Sequence, residues 1–146
     1  MAGIHEYMSR HHELCDDIFG RARKAAAADD WMAAGNDCKA FLHQIERHID
    51  AEENLLFPAF EDKSGMTGGP THVMRMEHAQ LRDLFGEMLA AIEAREAEGY
   101  LRNADLVAAL LREHNLKEEN ILYPMLDNLL GTDGAGLLAQ VEDMLA

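Results

Sequence analysis

The chain carries the same segment twice, and this repeat limits its fold more than any other feature. The eleven residues from His48 to Pro58, HIDAEENLLFP, align with those from His114 to Pro124, HNLKEENILYP, when the sequence is shifted by 66 positions. The same shift, with no gap, also aligns residues of the segments that precede each motif. A repeat of this length indicates that one supersecondary unit is used twice. The two halves cover about residues 4–62 and 70–128.

The spacing of apolar residues indicates that each half is a pair of helices. These residues recur three and four positions apart, the alternation typical of strands is almost absent, and the chain has only three prolines. The glycine-rich loop between Lys63 and Pro70 separates the halves. We expect helices over about residues 4–27, 31–61, 71–98 and 101–128, with a break at Gly99, and a short helix over 137–145. This pattern predicts an all-α fold, an antiparallel up-down-up-down four-helix bundle with a short C-terminal helix, in a single domain over residues 1–146.

The repeat divides the eight histidines of the chain into two classes. Two histidines of the first half recur in the second, whereas His5, His11, His43 and His72 align with other residue types. A glutamate also follows the second and the fourth recurring histidine by four positions, which places both side chains on one side of a helix. The recurring residues are His12, His48, Glu52, His78, His114 and Glu118.

These six residues lie beside the apolar stripes of their helices, so we expect them to converge in the interior of the bundle. A buried carboxylate without a partner is strongly destabilising, and no Lys or Arg recurs beside the six. Metal ions would supply the missing positive charge. Imidazole and carboxylate ligands without a thiolate suit iron, manganese or zinc, and two carboxylates able to bridge favour a two-metal site.

The ordered set of motifs resembles the hemerythrin-like family of HHE cation-binding domains, along the whole chain except the short terminal helix. The motifs are His11-His12-Glu13, His48-x-x-x-Glu52 before Leu-Phe-Pro, Glu77-His78, and His114-x-x-x-Glu118 before Leu-Tyr-Pro. The resemblance implies two iron ions, one held by His12 and His48 and the other by His78 and His114. It further implies that Glu52 and Glu118 bridge the irons together with an oxo or hydroxo group. Manganese or zinc are possible substitutes.

The family resemblance implies a protein that binds dioxygen or a related small molecule, such as nitric oxide or peroxide, for sensing, storage or protection. Oxygen-carrying hemerythrins have a further histidine four residues before the position matched by His78. Here that residue is Met74, and its equivalent in the first half is Met8. Because a thioether is a poor ligand for iron(III), we expect both irons to keep an open coordination position. A di-iron oxidase or peroxidase, an enzyme acting on nitric oxide, and an iron store or sensor remain as alternatives.

Residues next to the six in sequence are expected to have supporting roles. Glu13, Glu53 and Glu119 each directly follow one of the six and are turned about 100° from it on a helix, so they are expected to be solvated acids or hydrogen-bond partners of the ligands. Cys15 and Tyr123 are interpreted as packing residues, as is Phe57, the counterpart of Tyr123.

The charge balance excludes several classes of partner. Asp and Glu number 27 against 13 Lys and Arg, which gives a net charge of −14 and disfavours nucleic acids and anionic lipids. No apolar stretch approaches the ~20 residues that a membrane-spanning helix needs, and the N-terminal residues lack the pattern of a signal peptide. We therefore expect a soluble cytoplasmic protein with two reduced cysteines, without membrane or nucleic-acid partners, and favour a monomer.

Overall fold

The computed structural model describes residues 3–146, and every regular element within them is a helix. The α-helices are α1 (Ile4–Ala27), α2 (Trp31–Ala51), α3 (Phe57–Ser64), α4 (Pro70–Glu93), α5 (Ala97–Lys117), α6 (Tyr123–Leu130) and α7 (Gly134–Leu145). Two π-helical segments, Glu52–Leu56 and Glu118–Leu122, join α2 to α3 and α5 to α6 without a break, so the chain forms four long helical stretches before α7. The predicted all-α fold is confirmed. Among the described residues, no helix is long and apolar enough to cross a bilayer.

Each π-helical segment ends just before the proline of the repeated motif. Pro58 has no N–H group, and in an α-helix its ring would collide with the carbonyl group four residues earlier. The backbone N–H of Phe57 bonds instead to the carbonyl of Glu52, which is the five-residue spacing of a π-helix. Tyr123 makes the same bond to Glu118 in the second half. The wider turn therefore begins at a recurring glutamate in both halves.

The turns at the ends of α1 and α4 also correspond. Asp29 and Arg95 are related by the repeat, and both adopt the left-handed conformation with a φ angle of 56°. The next residue in each half donates its backbone N–H to a carbonyl of the preceding helix at 2.9 Å. The predicted break at Gly99 is therefore wrong, because the turn lies at Arg95 and the glycine lies inside α5.

The four long stretches enclose two apolar clusters. Helix α1 packs on α2 and α4 packs on α5, while α2 contacts α4 and α1 contacts α5. One cluster is built around Phe41, Leu81 and Phe85, and the other around Phe57 and Tyr123 with cover from α7. On α4, His78 lies between Met74 of the second cluster and Leu81 of the first, and the other three recurring histidines are bracketed similarly.

Candidate metal centre

The six recurring residues lie together in the interior, between the two apolar clusters. Each of them is at most 2% exposed. Their nitrogen and oxygen atoms form two groups in which all atoms lie within 4.8 Å of one another. One group contains Glu52, His78, His114 and Glu118, and the other contains His12, His48 and Glu118. The convergence expected from the repeat is therefore present in the structure.

Glu118 belongs to both groups because its two oxygens face different histidines. Its Oε1 atom lies 3.1 Å from Nε2 of His12, and its Oε2 atom lies 3.3 Å from Nε2 of His114. Glu52 places Oε1 3.2 Å from Nε2 of His78 and 3.6 Å from Nε2 of His48, while its Oε2 accepts the hydroxyl proton of Tyr123 at 2.7 Å. Because it presents one oxygen to each of the two groups, Glu118 has the geometry of a bridging ligand.

Two imidazoles are hydrogen-bonded through their Nδ1 atoms to carboxylates of the opposite half. Nδ1 of His12 lies 2.6 Å from Oε2 of Glu119, and Nδ1 of His78 lies 2.8 Å from Oε2 of Glu53. The repeat relates these two contacts. When Nδ1 carries the proton and donates it to a carboxylate, the lone pair of Nε2 is free for a metal ion. Of the two roles expected for Glu53 and Glu119, the structure supports hydrogen bonding to the ligands.

The other two imidazoles have partners within their own half, and these partners differ in residue type. Nδ1 of His114 lies 2.8 Å from Oε1 of Glu77, whose other oxygen accepts from the Lys117 ammonium. The repeat places His11 at the position of Glu77, and Nδ1 of His11 lies 2.8 Å from Nδ1 of His48. Sequence reasoning set His11 aside because it does not recur. The contact that His11 makes with His48 does recur, because Glu77 makes the equivalent contact with His114.

The orientation of His11 follows from its outer neighbour. Nε2 of His11 lies 3.1 Å from Oε1 of Gln44, which is an acceptor, so the Nε2 atom carries the proton. Nδ1 of His11 is then an acceptor and receives the proton of Nδ1 of His48. All four recurring histidines can therefore direct an Nε2 lone pair at the cluster.

Tyr123 packs in the second apolar cluster as predicted, and its hydroxyl group is also part of the polar cluster, which the sequence did not indicate. Its hydroxyl oxygen lies 2.7 Å from Oε2 of Glu52, 3.0 Å from Oε1 of Glu118, and 3.3 Å from Nε2 of both His12 and His48. The aligned residue in the first half is Phe57, whose ring stacks on His78 at a centroid distance of 5.6 Å. Because the repeat pairs Tyr with Phe, it indicates only an aromatic ring at this position.

The charges of the cluster depend on one another. Burial and the nearby charge of Glu118 raise the pKa of Glu52. Burial opposes ionisation of Glu118 as well, yet the positive charge of His114 holds the pKa of Glu118 well below its usual value. Burial would lower the pKa of His12, but hydrogen bonds to Glu118 and Glu119 raise it to about 10. Without a metal ion, protonated imidazoles therefore balance the buried carboxylates.

The donors of the cluster fit a metal ion. Three of its atoms, Oε1 of Glu52, Nε2 of His78 and Oε2 of Glu118, are buried and have no hydrogen-bond partner. Such atoms are rare in folded proteins, and here they converge on one point. Nε2 of His78 and Oε1 of Glu52 are only 3.2 Å apart, without the alignment of a hydrogen bond, as expected for two ligands of one ion. Imidazole and carboxylate groups together suit iron, manganese or zinc.

A narrow cavity, too small to hold a water molecule, adjoins the cluster on the side opposite Tyr123. Its polar wall consists of His48, Glu52, His78, His114 and Glu118, and its other wall consists of Ile45, Ile49, Leu81, Leu111 and Asn115. Leu111 and Asn115 also line a surface groove between α1 and α5. These two side chains therefore separate the cavity from the groove.

Comparison with known proteins identifies the family. The model of the hemerythrin HHE cation binding domain matches residues 3–126, which include all six recurring residues and end before α7. No curated protein and no solved structure showed significant similarity to the chain. The family resemblance inferred from the motifs is confirmed, and the terminal helix lies outside the match as expected.

Proposed function

Since the chain belongs to the hemerythrin HHE cation-binding family, we propose that it is a non-haem di-iron protein that binds dioxygen or a related small molecule. Nitric oxide and peroxide are the related molecules, and the role is sensing, storage or protection. The observation that carries the proposal is the orientation of Glu118, which directs one oxygen at His12 and the other at His114. Two ions side by side account for this orientation.

The two groups of atoms in the cluster support the following ligands. His12 and His48 would hold one iron, His78 and His114 would hold the other, and Glu52 and Glu118 would bridge the pair with an oxo or hydroxo group. The carboxylates neutralise part of the metal charge in a site that water does not reach. Manganese or zinc fit the same donors, so the identity of the metal does not follow from the identity of its ligands.

When bound, the iron pair supplies coordination positions and electrons that side chains alone lack. The residues of the chain prepare the site for it. Glu119, Glu53, Glu77 and His11 each hold one imidazole ring by its Nδ1 atom, so the four Nε2 atoms stay directed inward. Such outer hydrogen bonds orient metal-bound histidines and tune their basicity.

The side chains around the narrow cavity favour a small uncharged ligand over a charged one. Its outer wall is formed mainly by Ile45, Ile49, Leu81 and Leu111, which offer no charge and no hydrogen bond. A charged or large polar substrate would lose its hydration there without compensation. A diatomic molecule loses little, and the apolar wall keeps water away from the metal side of the cavity.

The finer features of the fold belong to the same proposal. The contacts of α1 with α2 and α5, and of α4 with α2 and α5, are those of neighbours in an antiparallel up-down-up-down bundle. The buried thiols of Cys15 and Cys38 are unpaired, which suits the reducing cytoplasm. We therefore propose a cytoplasmic, monomeric four-helix bundle.

Metal analysis of protein purified without added metal tests the proposal. We expect two irons per chain and an absorption spectrum that changes when the reduced protein meets oxygen. Glu118→Ala should abolish stoichiometric loading, whereas Glu113→Ala, an exposed change on the same helix, should not. Removing oxygen under vacuum then distinguishes a carrier, which returns intact oxygen, from an oxidase. Two irons retained by Glu118→Ala would contradict the bridging assignment.

A further inference from the structure

We propose that Tyr123 is a seventh ligand of the centre and that its oxygen binds the iron held by His12 and His48. This inference rests on the proposed di-iron function. It adds a metal ligand that is not among the six recurring residues, and it gives the two metal ions different numbers of ligands from the chain.

The distances around the Tyr123 oxygen are those between neighbouring ligands of one ion. In an octahedral site with bonds of about 2.1 Å, neighbouring ligand atoms lie about 3.0 Å apart. The Tyr123 oxygen lies 3.3 Å from Nε2 of His12 and of His48, 3.0 Å from Oε1 of Glu118 and 2.7 Å from Oε2 of Glu52. Nε2 of His12 and Oε1 of Glu118 are themselves 3.1 Å apart. The Tyr123 oxygen and its four neighbours are therefore close enough together to surround one ion.

A hydrogen bond alone does not account for this arrangement. The hydroxyl of Tyr123 has one proton, which it can donate to either Glu52 or Glu118 but not to both. Two imidazole nitrogens also lie 3.3 Å from the same oxygen. An ion bonded to all of these atoms would account for their convergence on one point.

The oxygens of the two glutamates can be divided between the two ions. Oε2 of Glu52 and Oε1 of Glu118 lie on the side of Tyr123. Oε1 of Glu52 lies 3.2 Å from Nε2 of His78 and 3.6 Å from Nε2 of His48, and Oε2 of Glu118 lies 3.3 Å from Nε2 of His114. The first ion would then have five ligands from the chain and the second would have four. On metal loading, the Tyr123 oxygen exchanges its bond to hydrogen for a bond to the metal, and the proton leaves to solvent with no change of oxidation state.

No equivalent oxygen lies beside His78. Phe57 of the first half stands at the position that aligns with Tyr123, and its ring stacks on His78. The cavity borders His48, His78 and His114 but not His12 or Tyr123. With one ligand fewer from the chain, the ion held by His78 and His114 would keep the open position and take up a small molecule. In this inference only that ion is open, whereas the sequence predicts an open position on both.

Resonance Raman spectroscopy of the oxidised, iron-loaded protein tests the assignment. Iron(III) bound to a phenolate gives a visible charge-transfer absorption and enhanced ring vibrations of the tyrosine. We expect both in the wild-type protein and their loss in Tyr123→Phe, with the iron content measured on the same samples. Tyr100→Phe is the matched control, because Tyr100 is also buried, its hydroxyl has no partner, and it lies in the other apolar cluster.

The result does not depend on whether the variant folds. Ring-deuterated tyrosine incorporated into the wild-type chain should shift the same vibrations without any substitution. A wild-type chain with two irons and no tyrosine vibrations would overturn the role of Tyr123 and leave the di-iron function intact. A chain that takes up no iron would overturn both. Persistence of the vibrations in Tyr123→Phe would assign them elsewhere and likewise refute the inference.

Discussion

His11 and His48 share a hydrogen bond between their Nδ1 atoms, 2.8 Å apart, where the other half of the molecule joins Glu77 to His114. Burial lowers the pKa of both His11 and His48, so this pair consists of two neutral rings. His114 is backed instead by a carboxylate, which raises the basicity of a ligand. The two halves thus give their imidazoles unequal support.

Removing either partner should weaken the hold on one metal. Changes of such outer hydrogen bonds typically lower metal affinity by about 10–100-fold, and we expect this for His11→Ala and for Glu77→Gln. Competition with a chelator, followed through two successive metal dissociation steps, measures the effect. His43→Ala is the control, because His43 is exposed on the same helix as His48. Unchanged affinity in both test variants would contradict the role of these contacts.

Metal removal should destabilise the fold. The cluster buries two carboxylates and four imidazoles, and an ion that binds only the native state stabilises it by about 4 kcal/mol at a thousand times its Kd. We therefore expect chelation to lower the Tm by several degrees, as followed by circular dichroism at 222 nm. Readdition of iron should reverse the change. Equal Tm values with and without bound metal would show that the buried carboxylates and imidazoles need no metal ion for the stability of the fold.

Neither cysteine should react in the folded protein. Burial raises the pKa of Cys15 to about 12 and that of Cys38 to about 11, so both thiols stay protonated and unreactive at pH 8. Their reactivity should increase only as the pH approaches these values. Ellman's reagent should detect no fast-reacting thiol at pH 8 in the native state and two per chain in denaturant. A fast reaction of one thiol before unfolding would contradict the burial of that residue.

The wall between the cavity and the surface groove should control access to the centre. Leu111→Ala shortens a side chain that borders both, so the association rate of nitric oxide with the reduced, iron-loaded protein should rise. The free energy of unfolding should fall by about 2–5 kcal/mol. Ile45 is the counterpart of Leu111 and borders only the cavity, so Ile45→Ala should cost similar stability without the faster binding. Equal rates in the two variants would exclude this route.

The sequence was sufficient to predict the helices and the convergence of six residues. The repeat selected side chains that both halves require, and i, i+4 spacing gave His48 and Glu52 a common direction. The same repeat also contained the correct turn, because it aligns Asp29 with Arg95, which share one φ angle. The break was assigned to Gly99 because glycine is the commoner helix breaker, although the bonds that end α4 lie before it.

The contacts that the sequence did not predict lie where the two halves differ. The exchange of Glu77 for His11 preserves a contact but not a residue type, so recurrence of residues could not reveal it. Tyr123 and Phe57 differ by one oxygen, and its role depends on the distance to atoms that other helices supply. Such distances depend on how the four helices pack, and no local sequence pattern predicts them.

Glutamates of each half also contact a histidine of the other half. His12 of the first half meets Glu118 and Glu119 of the second, and His78 of the second meets Glu52 and Glu53 of the first. A single hairpin would consequently leave His12 or His78 without its acidic neighbours. Each half therefore depends on the other to complete the cluster.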